Sequence, residues 1–279
     1  MEQAAPPRWV QRASARLYSR SDGAGSPALL WCHGLYHDHA YDEAKGLYPP
    51  LALTEHTTLV RLDAPGHGRS RPAPADPNRY SWPALAQDML AAASAWNHHS
   101  FIAGGASMGA ASALHAAVAA PERILGLVLA IPPTAWGGRP VQAARYRQLA
   151  SILNTRGPEA FKRVMAQAPL APAFLADWDR DLTALRRDHL ERFDAHGFAA
   201  VLEGAARSDL PGPMAIASLR QPCLLLAWAG DSTHPTETAE ALHQTLPNSQ
   251  LHLAKTIDDV RDWSALIGRF VQDIKTTKP

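Results

Sequence analysis

Phe101-Ile102-Ala103-Gly104-Gly105-Ala106-Ser107-Met108-Gly109 is the stretch on which the fold turns. Residues 100–105 open on aromatic and β-branched side chains and read as a buried strand, while 106–119 are small and apolar up to Pro121 and read as a helix. A strand that enters a helix through Gly105-Ala106-Ser107-Met108-Gly109 needs a sharp turn, and glycine tolerates the backbone angles and close approaches such a turn imposes. The turn lifts the Ser107 hydroxyl above the end of the strand, and the next backbone N–H points at the same spot from a helix N-terminus. The bland alternative is a small-residue turn that only packs tightly.

On either side of this stretch the same alternation recurs. Residues 15–19 followed by Ser21-Asp22-Gly23 read as a hairpin leading into the apolar run 28–32, which ends at His33-Gly34. Residues 57–63 form a β-branched run stopped by Ala64-Pro65-Gly66, residues 85–96 look helical, and 124–131 form a further strand closed by Pro132-Pro133. Strands alternating with helices at this spacing predict βαβ units and a parallel sheet. From 133 to 213 the pattern becomes helical, with no convincing strand; the alternation then resumes with a strand at 222–228, a helix at 236–246, a strand at 250–254 and a last helix near 259–274. The expected organisation is a core of residues 1–132 and 214–279 that carries an inserted helical lid, 133–213. Gly137-Gly138 and Gly212 offer flexible junctions, and Trp136, Tyr146, Phe161, Phe174, Trp178 and Phe198 are available for lid packing or a pocket wall.

Composition narrows the function classes. The 279 residues are 46% hydrophobic and 19% charged, enough for a substantial core, and 27 basic against 26 acidic groups leave a net charge of +1. No extended cationic face is expected, so nucleic acid and anionic membranes are poor partners and a small-molecule substrate is the default. Oligomeric state is not legible. Cys32 and Cys223 both lie in apolar runs, the setting of reduced, buried thiols. Residues 1–11 are polar with two prolines, unlike a secretory signal, and no apolar run approaches a membrane span, so a cytoplasmic location is expected.

Three landmarks in order make the chain resemble the α/β-hydrolase fold superfamily over almost its whole length. They are His33-Gly34 after an early strand, Asp63-Ala64-Pro65-Gly66-His67-Gly68-Arg69-Ser70, and Ser107 in its strand-to-helix elbow. The resemblance implies a mostly parallel central sheet flanked by helices with an inserted lid, Ser107 as nucleophile, and the backbone N–H groups of Leu35 and Met108 as the oxyanion hole. Asp231, in Gly230-Asp231-Ser232-Thr233-His234-Pro235 after a strand, resembles the acid that orients a histidine, although it would also suit the start of the following helix.

The departure from the family is the base. The superfamily's histidine follows the last strand, yet residues 255–279 contain no histidine. That slot reads Lys255-Thr256-Ile257-Asp258-Asp259, where Thr256 and Asp259 have the spacing of a capping box. An ordinary carboxylate is too weak a base to replace imidazole there. His234 is the substitute of choice because it shares a loop with Asp231; the alternative is a histidine that lines the pocket or the helix start without touching Ser107.

Other histidines read as structural: His67 as a packed turn residue, His252 as a strand residue facing core or sheet, and His98-His99 as part of the loop before the elbow strand; His37 and His39, just beyond the oxyanion loop, either approach bound substrate or, the favoured reading, face solvent. No metal-ligand spacing and no cofactor fingerprint is found, so no metal and no cofactor is expected. The expected function is an esterase-like hydrolase that cleaves a small-molecule ester, thioester, lactone or activated C–C bond through Ser107 with an atypical base. The alternative is a non-hydrolytic member, a ligand-binding protein or a lyase or isomerase that lost the histidine.

Overall fold

Continuous apolar runs without polar alternation must be covered on both faces, and these runs are the central strands of one eight-stranded sheet. The computed structural model describes residues 5–48, 53, 55, 57–71 and 75–276; residues 1–4 of the N-terminal segment and 277–279 lie outside the described residues. The strands are β1 (Arg8–Arg12), β2 (Ala15–Asp22), β3 (Ala28–Cys32), β4 (Thr58–Leu62), β5 (Phe101–Ala106), β6 (Ile124–Ala130), β7 (Cys223–Trp228) and β8 (Ser249–Ala254). Their order is β1-β2-β4-β3-β5-β6-β7-β8, with β1, β2 and β4 antiparallel and every pair from β4 to β8 parallel. The chain thus reverses direction across the sheet after β4, and the carboxyl ends of β3, β5, β6 and β7 open on one edge, where α/β sheets bind ligands.

Alternate residues of the parallel strands feed two cores. Leu30, Ala103, Leu127 and Leu225 pack under α2 (Trp82–Ala95), α3 (Met108–Ala119) and α8 (Thr236–Thr245). Leu29, Ile102, Val128 and Leu224 pack on the opposite face against Trp263, Ile267, Phe270 and Ile274 of α10 (Trp263–Thr276). The remaining helices are α1 (His39–Lys45), α4 (Arg139–Gln167), α5 (Leu182–Arg192), α6 (Phe198–Ala206), α7 (Pro213–Ala217) and α9 (Ile257–Arg261).

Helices alone occupy the chain between β6 and β7, apart from short 3₁₀ turns. Its base is clamped rather than loose: Trp136 N–H donates to Asp209, and the Arg139 guanidinium, 4.2 Å over the Trp82 ring, donates to the Ser208 carbonyl at 2.6 Å. Phe161, Phe193 and Phe198 form an aromatic cluster with Tyr36 from the core, and Trp178 Nε1–H donates to the Lys45 carbonyl at 2.8 Å.

Three details differ from the sequence reading. Strand β2 pairs with β1 and β4 instead of forming a hairpin with β3, and β1, an exposed polar strand, carries no alternation strong enough to announce itself. The helix before the elbow starts at Trp82 because Pro83 suits the first turn. The last helix is two, α9 and α10.

Candidate active site

Ser107 sits between β5 and α3 at φ 53°, ψ −110°, a conformation that non-glycine residues adopt only when their surroundings enforce it. The enforcement is visible. Its N–H donates to the Ala130 carbonyl at 3.0 Å, and its carbonyl accepts the Ala111 N–H at 3.0 Å, so strand β6 and helix α3 hold it from both sides. Helix α3 also passes so close to β3 that a Cβ on Gly109 would lie 2.0 Å from the Cys32 carbonyl oxygen; only glycine fits there.

The loop after β7 brings Asp231 and His234 to the same point. His234 Nδ1 lies 2.7 Å from Asp231 Oδ2, and its Nε2 lies 2.8 Å from Ser107 Oγ. An ionised carboxylate only accepts, so Nδ1 carries the ring hydrogen, Nε2 is left as an acceptor, and the serine hydroxyl donates to it. The carboxylate is held by two further donors, the Thr233 N–H at 2.8 Å on Oδ1 and the Trp228 indole N–H at 3.2 Å on Oδ2. Burial pushes the Asp231 carboxyl up, but the hydrogen bond and charge of His234 and these two donors outweigh it and leave it below its ordinary value. Asp231 accepts no hydrogen bond from α8, whose N-cap is Pro235.

After β8 the place of a histidine is taken by a closed turn. Thr256 and Asp259 cap α9 reciprocally as a capping box. Behind it Trp263 stacks on Trp228 with ring centroids 5.5 Å apart, filling the space beside the Asp231 loop with indole.

Leu35 and Ser107 line one cavity of about 410 Å³, together with Asp231 and His234, and Met108 begins α3 directly after Ser107. The backbone N–H of Leu35 has no acceptor among the described residues, and that of Met108, the first residue of α3, has none within its helix. Tyr36, next to Leu35, has φ 70°, so the loop after β3 is strained at the same point as the elbow. His33 does not face the cavity chemistry; its Nε2 accepts the Ala64 N–H at 3.0 Å and ties this loop to the turn after β4.

Of the two readings open to His37 and His39, the favoured one, solvent, is corrected for both. His39 Nδ1 lies 2.8 Å from Asp63, and Tyr18 stacks on its ring. His37 lines the cavity, with Nδ1 3.0 Å from Asp42 and 3.1 Å from Lys45 Nζ; burial, then the Lys45 charge, lower its pKa to about 4. Neither was legible because the contacts come from helix α1 folding back over the sheet edge. His67 is buried with its Nδ1 on the Pro65 carbonyl, and burial keeps its ring neutral well below the ordinary imidazole pKa. His252 sits half-buried on β8. Trp228 escaped notice too: inside a buried strand, nothing in the pattern marks its indole nitrogen as a donor.

Among the described residues no group of three or more His, Cys, Asp or Glu side chains is placed to hold a metal ion, and no helix is long and apolar enough to cross a membrane. Chemically, a serine hydroxyl hydrogen-bonded to an imidazole that a carboxylate orients is an array able to move a proton off the hydroxyl as it attacks.

Solved structures share this architecture. A hydrolase from Pseudomonas aeruginosa PA01 superposes with a TM-score of 0.78 at 23% identity, covering 98% of this chain and 99% of its own. An enol-lactonase from Burkholderia xenovorans LB400 gives 0.77 at 21% identity, covering 97% and 100%, and an esterase from Exiguobacterium antarcticum gives 0.73 at 17%, covering 95% and 98%. The family model for the alpha/beta hydrolase fold matches residues 27–266, a span that runs from β3 through the elbow and the Asp231 loop into α10. The chain belongs to the alpha/beta hydrolase fold family.

Proposed function

We propose that this protein hydrolyses a small-molecule ester, thioester, lactone or activated C–C bond, with Ser107 as nucleophile, His234 as general base and Asp231 as the acid that orients it. The observation that carries the reading is the unbroken chain of hydrogen bonds, 2.8 Å from Ser107 to His234 and 2.7 Å from His234 to Asp231. In this mechanism Ser107 Oγ adds to the substrate carbonyl while its proton passes to His234 Nε2, and Asp231 stabilises the imidazolium without taking the proton. The Leu35 and Met108 amides donate to the oxyanion. The imidazolium then protonates the leaving group, leaving an acyl-Ser107 that water cleaves by the same route in reverse.

Support for the size of the substrate comes from the cavity, whose volume of about 410 Å³ lies in the range of small-molecule sites. Lactonases and esterases among the structural neighbours fit the same range of bonds. On this reading the helical segment 133–213 acts as a lid that keeps water from the acyl-enzyme, and no cofactor, nucleic acid or membrane takes part. The non-hydrolytic alternative rested on the missing histidine, and the 2.8 Å hydrogen bond that Ser107 donates to His234 favours hydrolysis over it. The test is a panel of 4-nitrophenyl esters, thioesters and lactones with wild type and Ser107→Ala. Turnover that vanishes in a folded Ser107→Ala variant supports the proposal; wild-type silence across the panel, or full activity without the hydroxyl, overturns it.

A further inference from the structure

The wall of the cavity is unbalanced in charge. Lys45, Arg145 and Arg186 line it, whereas Asp231, the one lining carboxylate among the described residues, is committed to His234. Lys45 is neutralised by Asp42, 2.9 Å away, with both side chains buried. Arg145 and Arg186 have no such partner: among the described residues neither forms a salt bridge. Arg145 makes only a long 3.4 Å hydrogen bond to Gln142, and Arg186 only one of 3.4 Å to the Ala166 carbonyl. The neighbouring Arg187, by contrast, reaches Asp188 and stays outside the cavity.

The polar groups at the floor are engaged with one another. The Lys45 ammonium bridges Asp42 and His37 Nδ1, and that same nitrogen lies 3.0 Å from the Asp42 carboxylate. The His37 ring lines the cavity beside this pair. Two guanidinium groups without a salt-bridge partner among the described residues, on α4 and α5, therefore border a space whose remaining wall is mostly aliphatic and aromatic.

Resting on the hydrolase reading of the same site, we propose that the substrate carries an anionic group, a carboxylate, in addition to the bond cleaved, and that Arg145 and Arg186 bind it. A guanidinium matches a carboxylate with two parallel N–H donors, and half-burial of Arg186 strengthens the pair relative to open solvent. The apolar remainder of the wall takes the carbon chain between the two groups.

The probes are the 4-nitrophenyl monoester of pimelic acid and the otherwise identical ester whose far end is a neutral amide. Two readouts keep the inference apart from the hydrolase reading: kcat/KM with active protein, and the thermal shift each ester gives to Ser107→Ala protein, which requires no turnover. Wild type is expected to favour the acid by about ten-fold or more, the ratio of one charge-assisted contact. Arg145→Gln/Arg186→Gln brings the ratio to about one, whereas Arg187→Gln leaves it unchanged, and raised salt lowers it. Equal stabilisation of Ser107→Ala by acid and amide, or a preference for the amide, overturns the inference. A preference for the acid in that thermal shift without turnover by wild type supports anion binding and overturns hydrolysis alone.

Discussion

His234 reaches Ser107 because it stands three residues after the carboxylate that orients it, in a turn whose backbone N–H also returns to the Asp231 carbonyl at 3.2 Å. Imidazole and carboxylate are therefore held as one unit on the end of β7. Removing the imidazole in His234→Ala should cost about 10²–10⁴-fold in kcat/KM on any responsive ester, whereas His252→Ala should leave it unchanged, as paired assays would show. Trp228→Phe takes one donor from the Asp231 carboxylate and keeps an aromatic ring against Trp263. The expected loss is about ten-fold in kcat with a folded protein, less than that of Asp231→Asn, because one hydrogen bond to a charged group is removed rather than the charge itself. At this scale Ser107 and Asp231 were legible from local context, a strand-to-helix glycine turn and an acid after a strand. His234 was legible only by elimination, since sequence distance from Asp231 does not say which way a ring points. Arg145 and Arg186 left no trace, because helical periodicity marks a face and not which cavity that face borders.

The elbow is the element with least room for change. In Gly109→Ala the added methyl would meet backbone of β3, which has no side chain to swing away. A loss of about 3 kcal/mol or more, or failure to fold, is expected in urea melts. The α9 cap is milder: Thr256→Ala removes one half of the capping box and should cost about 1 kcal/mol. Helix α4 has its own weak point at Gly157 (φ 77°, ψ 177°), where it kinks before Pro158; that backbone region belongs almost to glycine alone. The sequence reading placed flexible junctions at Gly137-Gly138 and Gly212, but Trp136 and Arg139 clamp that base, which leaves Gly157 as the bend within the helical segment. A glycine pair marks permission to bend; long-range hydrogen bonds decide whether the permission is used.

Across the whole molecule the parallel strands were readable because burial on both faces strips them of polar residues, while β1 and the partners of β2 were not, since an edge pairing is set by where distant strands arrive. Burial also sets the acid response. His37, held by Asp42 and Lys45 of α1 and faced by His189 of α5, titrates near 4, and buried His67 lies well below its ordinary value too. Unfolded imidazoles titrate at about 6.5, so below that pH the unfolded chain takes up protons that the folded chain refuses. Stability is therefore full above about pH 6.5 and falls towards pH 4, and Tm should drop by about 4 °C or more from pH 7.5 to 5, with a shallower slope in His37→Gln. What the fold achieves above all is to bring residue 107 together with residues 231 and 234 from the far side of the helical segment. The most direct measurement is the rate at which a fluorophosphonate modifies Ser107, followed by intact mass and located by peptide mapping, in wild type and His234→Ala. The account predicts single labelling at Ser107 that slows by at least about 10²-fold without the imidazole; labelling of His234→Ala at the wild-type rate, or none of wild type, would contradict it.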